Sequence, residues 1–200
     1  MKYFIILFTF CFLSCKKDQD EPATTPGTNL SSTIEYKQIN GVDSNLLSLD
    51  IYYNSITETK KPIVIWVHGG AWSIGDKTSQ IENKIALFQT LNYVFISVNY
   101  RLSPFPNEIN NPSRIMYPMH NYDIADAIKW VVDNASTYGG NTNKIAIMGH
   151  SAGAHLVSLT ATNNSFITNV GLNFSNIKGV ASIDTEGYNV LNKIKENDNY

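Results

Sequence analysis

Between Ile63 and Ile183 the apolar residues change their period several times, and each change marks a new element. Ile63-Val64-Ile65-Trp66-Val67 and Val94-Phe95-Ile96-Ser97-Val98 are short, nearly continuous apolar runs, rich in β-branched residues and bounded by turn formers. Runs of that kind suit strands covered on both faces, so both are expected as central parallel strands. Between them Ile81, Ile85 and Phe88 recur at helical spacing, and Ile124, Ala127, Ile128, Val131 and Val132 do the same along Asn121 to Asn134. Two amphipathic helices are predicted. Tyr138-Gly139-Gly140-Asn141 ends the second, Lys144 to Met148 reads as a further strand, Ala152 to Thr162 as a helix, and Ile177 to Ile183 as another strand. Upstream, Leu47, Leu49, Ile51 and Tyr53 alternate with more polar positions, which predicts a half-buried strand near a sheet edge, with Ile34 to Ile39 as its hairpin partner. The order βαβαβαβ implies an α/β chain with a doubly wound, mostly parallel sheet.

The N-terminus follows a different pattern. Lys2 precedes an apolar run from Tyr3 to Leu13 broken only by Thr9, and small Ser14 precedes Cys15. Residues 1–15 therefore read as a secretory signal, and Leu13-Ser14-Cys15 before polar Lys16-Lys17-Asp18 resembles the lipobox of bacterial lipoproteins. That resemblance implies Cys15 as the lipidated first residue, export, and attachment to the cell envelope through the lipid alone. An ordinary cleaved signal or a buried first helix are the alternatives. Residues 16–33 mix Asp, Glu, Thr, Pro, Asn and Ser with little to bury and read as a flexible tether, leaving 34–200 as the folded domain.

Composition narrows the chemistry. The 200 residues, 43% hydrophobic, suffice for one sizeable core. Lys and Arg number 15 against 17 Asp and Glu, so no basic excess exists to neutralise phosphates, and a nucleic-acid partner is excluded. The two cysteines, Cys11 and Cys15, both lie in the signal, which leaves none for a disulfide framework or a thiol nucleophile in the body. His120 and His155 are too isolated for zinc, and neither a metal nor an organic cofactor is expected.

Two motifs fall at strand ends. Gly149-His150-Ser151-Ala152-Gly153 fits G-x-S-x-G directly after one strand and directly before a helix. In that setting the serine occupies a sharp turn, the glycines avoid collisions with the neighbouring strand and helix, and the Ala152 N–H at the helix start faces developing negative charge. The competing explanation is a serine that merely caps the helix. His68-Gly69-Gly70-Ala71-Trp72, at the end of another buried strand, lets consecutive N–H groups converge on one oxygen.

Together with Gly75-Asp76-Lys77, Asn99-Tyr100-Arg101-Leu102-Ser103-Pro104 and Asp123 to Val131, these segments resemble the α/β-hydrolase superfamily, and within it the hormone-sensitive-lipase-like and feruloyl-esterase-like carboxylesterases. The resemblance runs from about residue 34 to about residue 188. It implies Ser151 as nucleophile, the amides of Gly70, Ala71 and Ala152 as oxyanion hole, and supporting roles for His68, Gly69, Gly149 and Gly153. His68 would orient the loop, Arg101 and Asp123 would be paired scaffold charges, and Trp72 would line the acyl pocket or simply pack. His120, His150 and His155 are expected to be structural.

In this fold the triad runs Ser, then acid, then His. After Ser151 the chain holds one histidine, His155, on the helix body, and Asp184 as a conceivable acid. The resemblance thus covers the N-terminal two-thirds of a hydrolase, with the acid and base expected beyond residue 200. Three functions stay open: a serine esterase acting on a small or glycan-linked ester, a catalytically inactive binding lipoprotein on the same fold, and an aryl formamidase or peptidase.

Overall fold

The computed structural model describes residues 30–54, 60–104 and 110–185. Residues 1–15, read above as a signal with Cys15, and most of residues 16–33, read as a tether, lie outside them. The described residues form six strands, β1 (Leu30–Glu35), β2 (Ser48–Tyr53), β3 (Lys61–Val67), β4 (Val94–Val98), β5 (Gly140–His150) and β6 (Ile177–Ile183), with helices α1 (Glu82–Thr90), α2 (Met119–Asn134), α3 (Ala152–Thr162) and α4 (Asn164–Asn169) between them. The strands make one sheet in the order β1-β2-β4-β3-β5-β6. The β3–β4, β3–β5 and β5–β6 pairs are parallel, and β2 joins both β1 and β4 antiparallel. The fold is the doubly wound α/β architecture expected from the pattern.

β3 and β4 lie at the centre, and their apolar runs are buried almost throughout. On one face, Ile65, Val67, Ile96, Val98, Ile145 and Ile147 pack with Ile124, Ile128 and Val131 of α2 and Leu156 and Val157 of α3, all essentially inaccessible. Each such side chain contributes about 1.5–3 kcal/mol by leaving water. On the other face, Val64, Trp66 and Phe95 meet Phe88 of α1.

Three boundaries differ from expectation. The first strand runs from Leu30 to Glu35 rather than Ile34 to Ile39, so it begins inside the stretch assigned to the tether. Its register places Ser32 opposite Ile51 and Ile34 opposite Leu49, and Thr33 Oγ1 donates to Asp50 Oδ1 at 2.7 Å. Ladder bonds of an edge strand need no apolar side chains, which is why Ser-Ser-Thr concealed it. β5 starts at Gly140, four residues early, because Gly140 pairs with Lys61 before an irregularity restores the register at Ile145 opposite Ile63. α4 was not foreseen. Its polar sequence hides buried Phe166 and Ile167, and Asn163 caps it by accepting from the Ser165 N–H at 3.1 Å.

Candidate active site

The parallel register fixes which strand ends meet. Val67 stands opposite Gly149, so the turns that follow β3 and β5 emerge side by side. Ser151 follows β5 with φ 52° and ψ −117°, a conformation L-residues rarely adopt, and it occupies the N-cap position of α3. A serine in that position normally accepts from an N–H of the first turn. Here it makes no such bond, although its N–H donates to the Ile183 carbonyl at 3.0 Å and its carbonyl accepts from the His155 N–H at 3.1 Å. The backbone is tied on both sides while the hydroxyl is left without a partner among the described residues.

Main-chain packing enforces this turn. A Cβ on Gly149 would fall 2.3 Å from the Gly153 carbonyl oxygen, and one on Gly153 would fall 2.2 Å from the Val67 oxygen. Only hydrogen fits at either place.

The loop after β3 lies directly against the elbow, since a Cβ on Gly69 would stand 3.1 Å from Ser151 Cβ. Two tied carbonyls fix its peptide planes. His68 Nδ1 bonds the Gly69 oxygen at 2.7 Å, and because a carbonyl only accepts, the proton sits on Nδ1. The Gly70 oxygen accepts from both Ser73 N–H and Ile74 N–H at 3.0 Å. In a trans peptide the N–H points opposite the carbonyl, so the N–H groups of Gly70 and Ala71 are turned away from those bonds and remain unpaired among the described residues. The Ala152 N–H, at the start of α3, adds a third donor beside the serine turn. Gly70 (φ 113°), Ala71 (φ 50°) and Trp72 (φ 61°) all hold positive φ in the loop.

The histidines occupy distinct places. The buried His68 ring stacks on Tyr100 with centroids 4.6 Å apart, Tyr100 Oη donates to the His68 carbonyl at 3.2 Å, and burial pushes the His68 pKa down. His120 Nε2 meets Ser103 Oγ at 3.0 Å, and burial, followed by the charge of Arg101 and the proximity of His155, pushes its pKa down to about 4. His155, also lowered by burial, packs edge-on against Trp72 at 5.3 Å. His150 is exposed, with Nε2 3.5 Å from Asp184 Oδ2 at the end of β6. Among the described residues none of these rings bonds Ser151 Oγ. Arg101 and Asp123 form a bidentate pair with two 2.8 Å contacts, and the inaccessible Asp123 carboxylate accepts the Arg101 N–H as well. Trp72 is half-buried, packs on the core and accepts the Ser103 N–H on its carbonyl at 2.8 Å.

A polar cluster that the motifs did not announce lies behind the loop. Asp76 accepts from Asn99 Nδ2 (2.8 Å), Asn45 Nδ2 (3.0 Å) and the N–H and hydroxyl of Thr78. Burial alone would raise its carboxyl, but those hydrogen bonds outweigh it and hold the group well below the usual carboxylate range. Asn45 carried no signal in the sequence, and Asn99 appeared only as one letter of a motif.

Comparison with known proteins gives the family and the fold. The BD-FAE family model matches residues 49–199. Esterase LipQ of Mycobacterium tuberculosis is 38% identical over 102 residues, 51% of this chain and 22% of its own length. An arylesterase of Saccharolobus solfataricus is 35% identical over 109 residues, 54% of this chain and 33% of its own. The chain thus spans about a fifth to a third of the length of these curated relatives. Among solved structures, esterase Est2 of Thermogutta terrifontis superposes with a TM-score of 0.54 at 26% identity, covering 67% of this chain and 44% of that one. Esterase B of Lactobacillus Rhamnosis, at 22% identity and TM-score 0.56 over 81% of this chain and 47% of its own, shares the fold.

Proposed function

Because the chain belongs to the BD-FAE family, we propose that it carries the nucleophile and oxyanion hole of a serine carboxylic-ester hydrolase. The observation that carries this reading is the serine in cap position that does not cap. Ser151 holds a strained backbone and, among the described residues, bonds its neighbours through main-chain atoms only and keeps its hydroxyl free beside three unpaired amides. In the proposed reaction Ser151 Oγ attacks the ester carbonyl, the carbonyl oxygen gains negative charge, and the amides of Gly70, Ala71 and Ala152 stabilise it. Collapse expels the alcohol and leaves an acyl-serine for water to hydrolyse. The substrate class is a small or glycan-linked ester. A general base takes the Ser151 proton and passes it to the departing alcohol, and among the described residues no histidine ring bonds Ser151 Oγ to serve as that base.

Activity-based labelling tests this directly. A fluorophosphonate probe is expected to modify Ser151, slowly because no histidine among the described residues bonds its Oγ, and Ser151→Ala should abolish it. Labelling unchanged in Ser151→Ala would overturn the reading.

For location, we propose that Cys15 is the lipidated mature N-terminus. The support is the apolar run that ends at Ser14-Cys15 and the polar stretch behind it. Wild type should sediment with membranes and Cys15→Ser should not. Equal amounts in the soluble fraction would exclude the anchor.

A further inference from the structure

The loop after β3 needs its return limb held as firmly as its tip. Gly75, at φ 108°, is where that limb presses on the working part, since a Cβ there would lie 2.5 Å from His68 Nδ1 and 2.6 Å from the Gly69 oxygen. Whatever holds Gly75 therefore holds the His68 ring against the Gly69 carbonyl, and with it the direction of the Gly70 N–H. The next two residues are gripped by one side chain. Asn99 Nδ2 donates to Asp76 Oδ2 at 2.8 Å, and Asn99 Oδ1 accepts from the Lys77 N–H at 2.5 Å.

Asn99 is itself immobilised. It is 1% exposed at the end of β4. Its N–H donates to the Ser48 carbonyl at 3.0 Å, its carbonyl accepts from Tyr36 Oη at 2.9 Å, and its second amide hydrogen reaches the Asn45 carbonyl at 2.9 Å. Every polar atom of this residue is used, and the bonds run to β2, to the segment that precedes it and to the loop. Lys77 is tied independently, its ammonium reaching Asn45 Oδ1 at 3.0 Å and Asp50 Oδ1 at 3.4 Å.

We propose that Asn99 is a positioning residue for the oxyanion hole, acting through Asp76 and Lys77 on Gly75, and through Gly75 on the His68 ring that orients the Gly69–Gly70 peptide. The role rests on the ester-hydrolase reading, but its structural half can be measured without turnover. Asn99 touches no substrate. It transmits the rigidity of the central sheet to a loop that has no regular structure of its own.

The test compares wild type, Asn99→Asp and the double variant Asp76→Asn/Asn99→Asp, each as the full chain. Asn99→Asp keeps the acceptor for Lys77 but turns a carboxylate oxygen toward Asp76, and the double variant restores a donor between positions 76 and 99. Amide exchange by NMR at Ser73 and Ile74, whose bonds close the loop, should accelerate about tenfold in Asn99→Asp, with Ile65 and Ile147 within about twofold of wild type. Phosphonate labelling of Ser151 should slow by about tenfold, and the double variant should recover part of both changes. Exchange at Ser73 and Ile74 that stays at the wild-type rate, or rises equally throughout the sheet, would overturn the proposal. Should Asn99→Asp fail to fold, Asp76→Asn disturbs the same contact from its half-exposed side and is read the same way. Loss of serine-specific labelling in wild type sinks the hydrolase reading alone, because the exchange rates still decide whether Asn99 governs the loop.

Discussion

At the elbow, the atoms that crowd Gly149 and Gly153 belong to the main chain of β3 and α3. On the loop, Gly75 instead faces the His68 ring together with the Gly69 oxygen it bonds, and both rest on side chains from Asn45 to Tyr100. Ser151 is thus shaped by exclusion, in a space where nothing larger than hydrogen fits. The loop shares that exclusion at Gly70, where a Cβ would fall 2.0 Å from the Ile74 oxygen, but its return limb is shaped by a relay of hydrogen bonds. A turn of the first kind tolerates changes in the surrounding side chains, whereas one of the second kind inherits every change made to its supports. If the chemistry is as proposed, the nucleophile is the insensitive half of the site and the hole is the tunable half.

The comparison can be broken most forcefully at Gly153. Gly153→Ala would place a carbon 2.2 Å from the Val67 oxygen and 2.5 Å from the His68 oxygen, and main chain cannot swing aside. A loss of about 3 kcal/mol or more is expected, read as a fall in the urea midpoint. A midpoint close to wild type would show that the elbow is looser than its contacts imply.

Acid should act on the other half. The His120 pKa of about 4, against an ordinary 6.5, means that the unfolded chain takes up the proton first. Its contribution is therefore complete above about pH 7 and is lost as pH falls from 6.5 toward 4, to an extent on the order of 2 kcal/mol. Lowered His68 and His155 act in the same direction. The protection factor of the Ser103 amide, which bonds Trp72 while its side chain touches His120, should fall on acidification before that of Ser151 does. His120→Gln should flatten the pH dependence.

Gly75→Ala sharpens the contrast at a smaller scale. Its positive φ and its approach to His68 predict a loss of about 2 kcal/mol. Labelling of Ser151 should fall more than the change in stability accounts for, because the added methyl pushes on the Gly69 carbonyl. Equal labelling by Gly75→Ala and wild type would detach the loop's return limb from the hole. Smallest of all, Ser151→Gly should raise stability by about 1 kcal/mol, since glycine accepts φ 52° and ψ −117° without strain. A thermal midpoint that fails to rise would mean the turn stores no strain.

Those same differences govern what could be read without coordinates. Steric exclusion leaves glycines at fixed offsets from a strand end, so Gly149, Ser151 and Gly153 were legible, and so were Gly69 and Gly70. β3 and β4 were legible because burial on both faces demands continuous apolar residues. The relay was not, since Asn45, Asp76 and Asn99 meet only after β2, β4 and the loop have come together, and an asparagine at a strand end resembles any loop asparagine. β1 and α4 were hidden for a related reason. Their order comes from ladder bonds and an Asn163 cap, which need no apolar periodicity.

The bonds of Asn99 also bear on the order of events in folding. Asn45, Asp76 and Asn99 are separated by 31 and 23 positions along the chain, so the relay between them cannot close until β2 and β4 are paired and the loop has docked. The elbow reaches farther along the chain, since it needs Val67 of β3 beside Gly149 of β5 and the Ser151 N–H on the Ile183 carbonyl of β6. The supports of the loop should therefore be able to close before the serine turn is fixed. A chain still folding would carry the braced loop before Ser151 comes to lie beside it, and the two halves of the candidate site would meet only with the last long-range contacts.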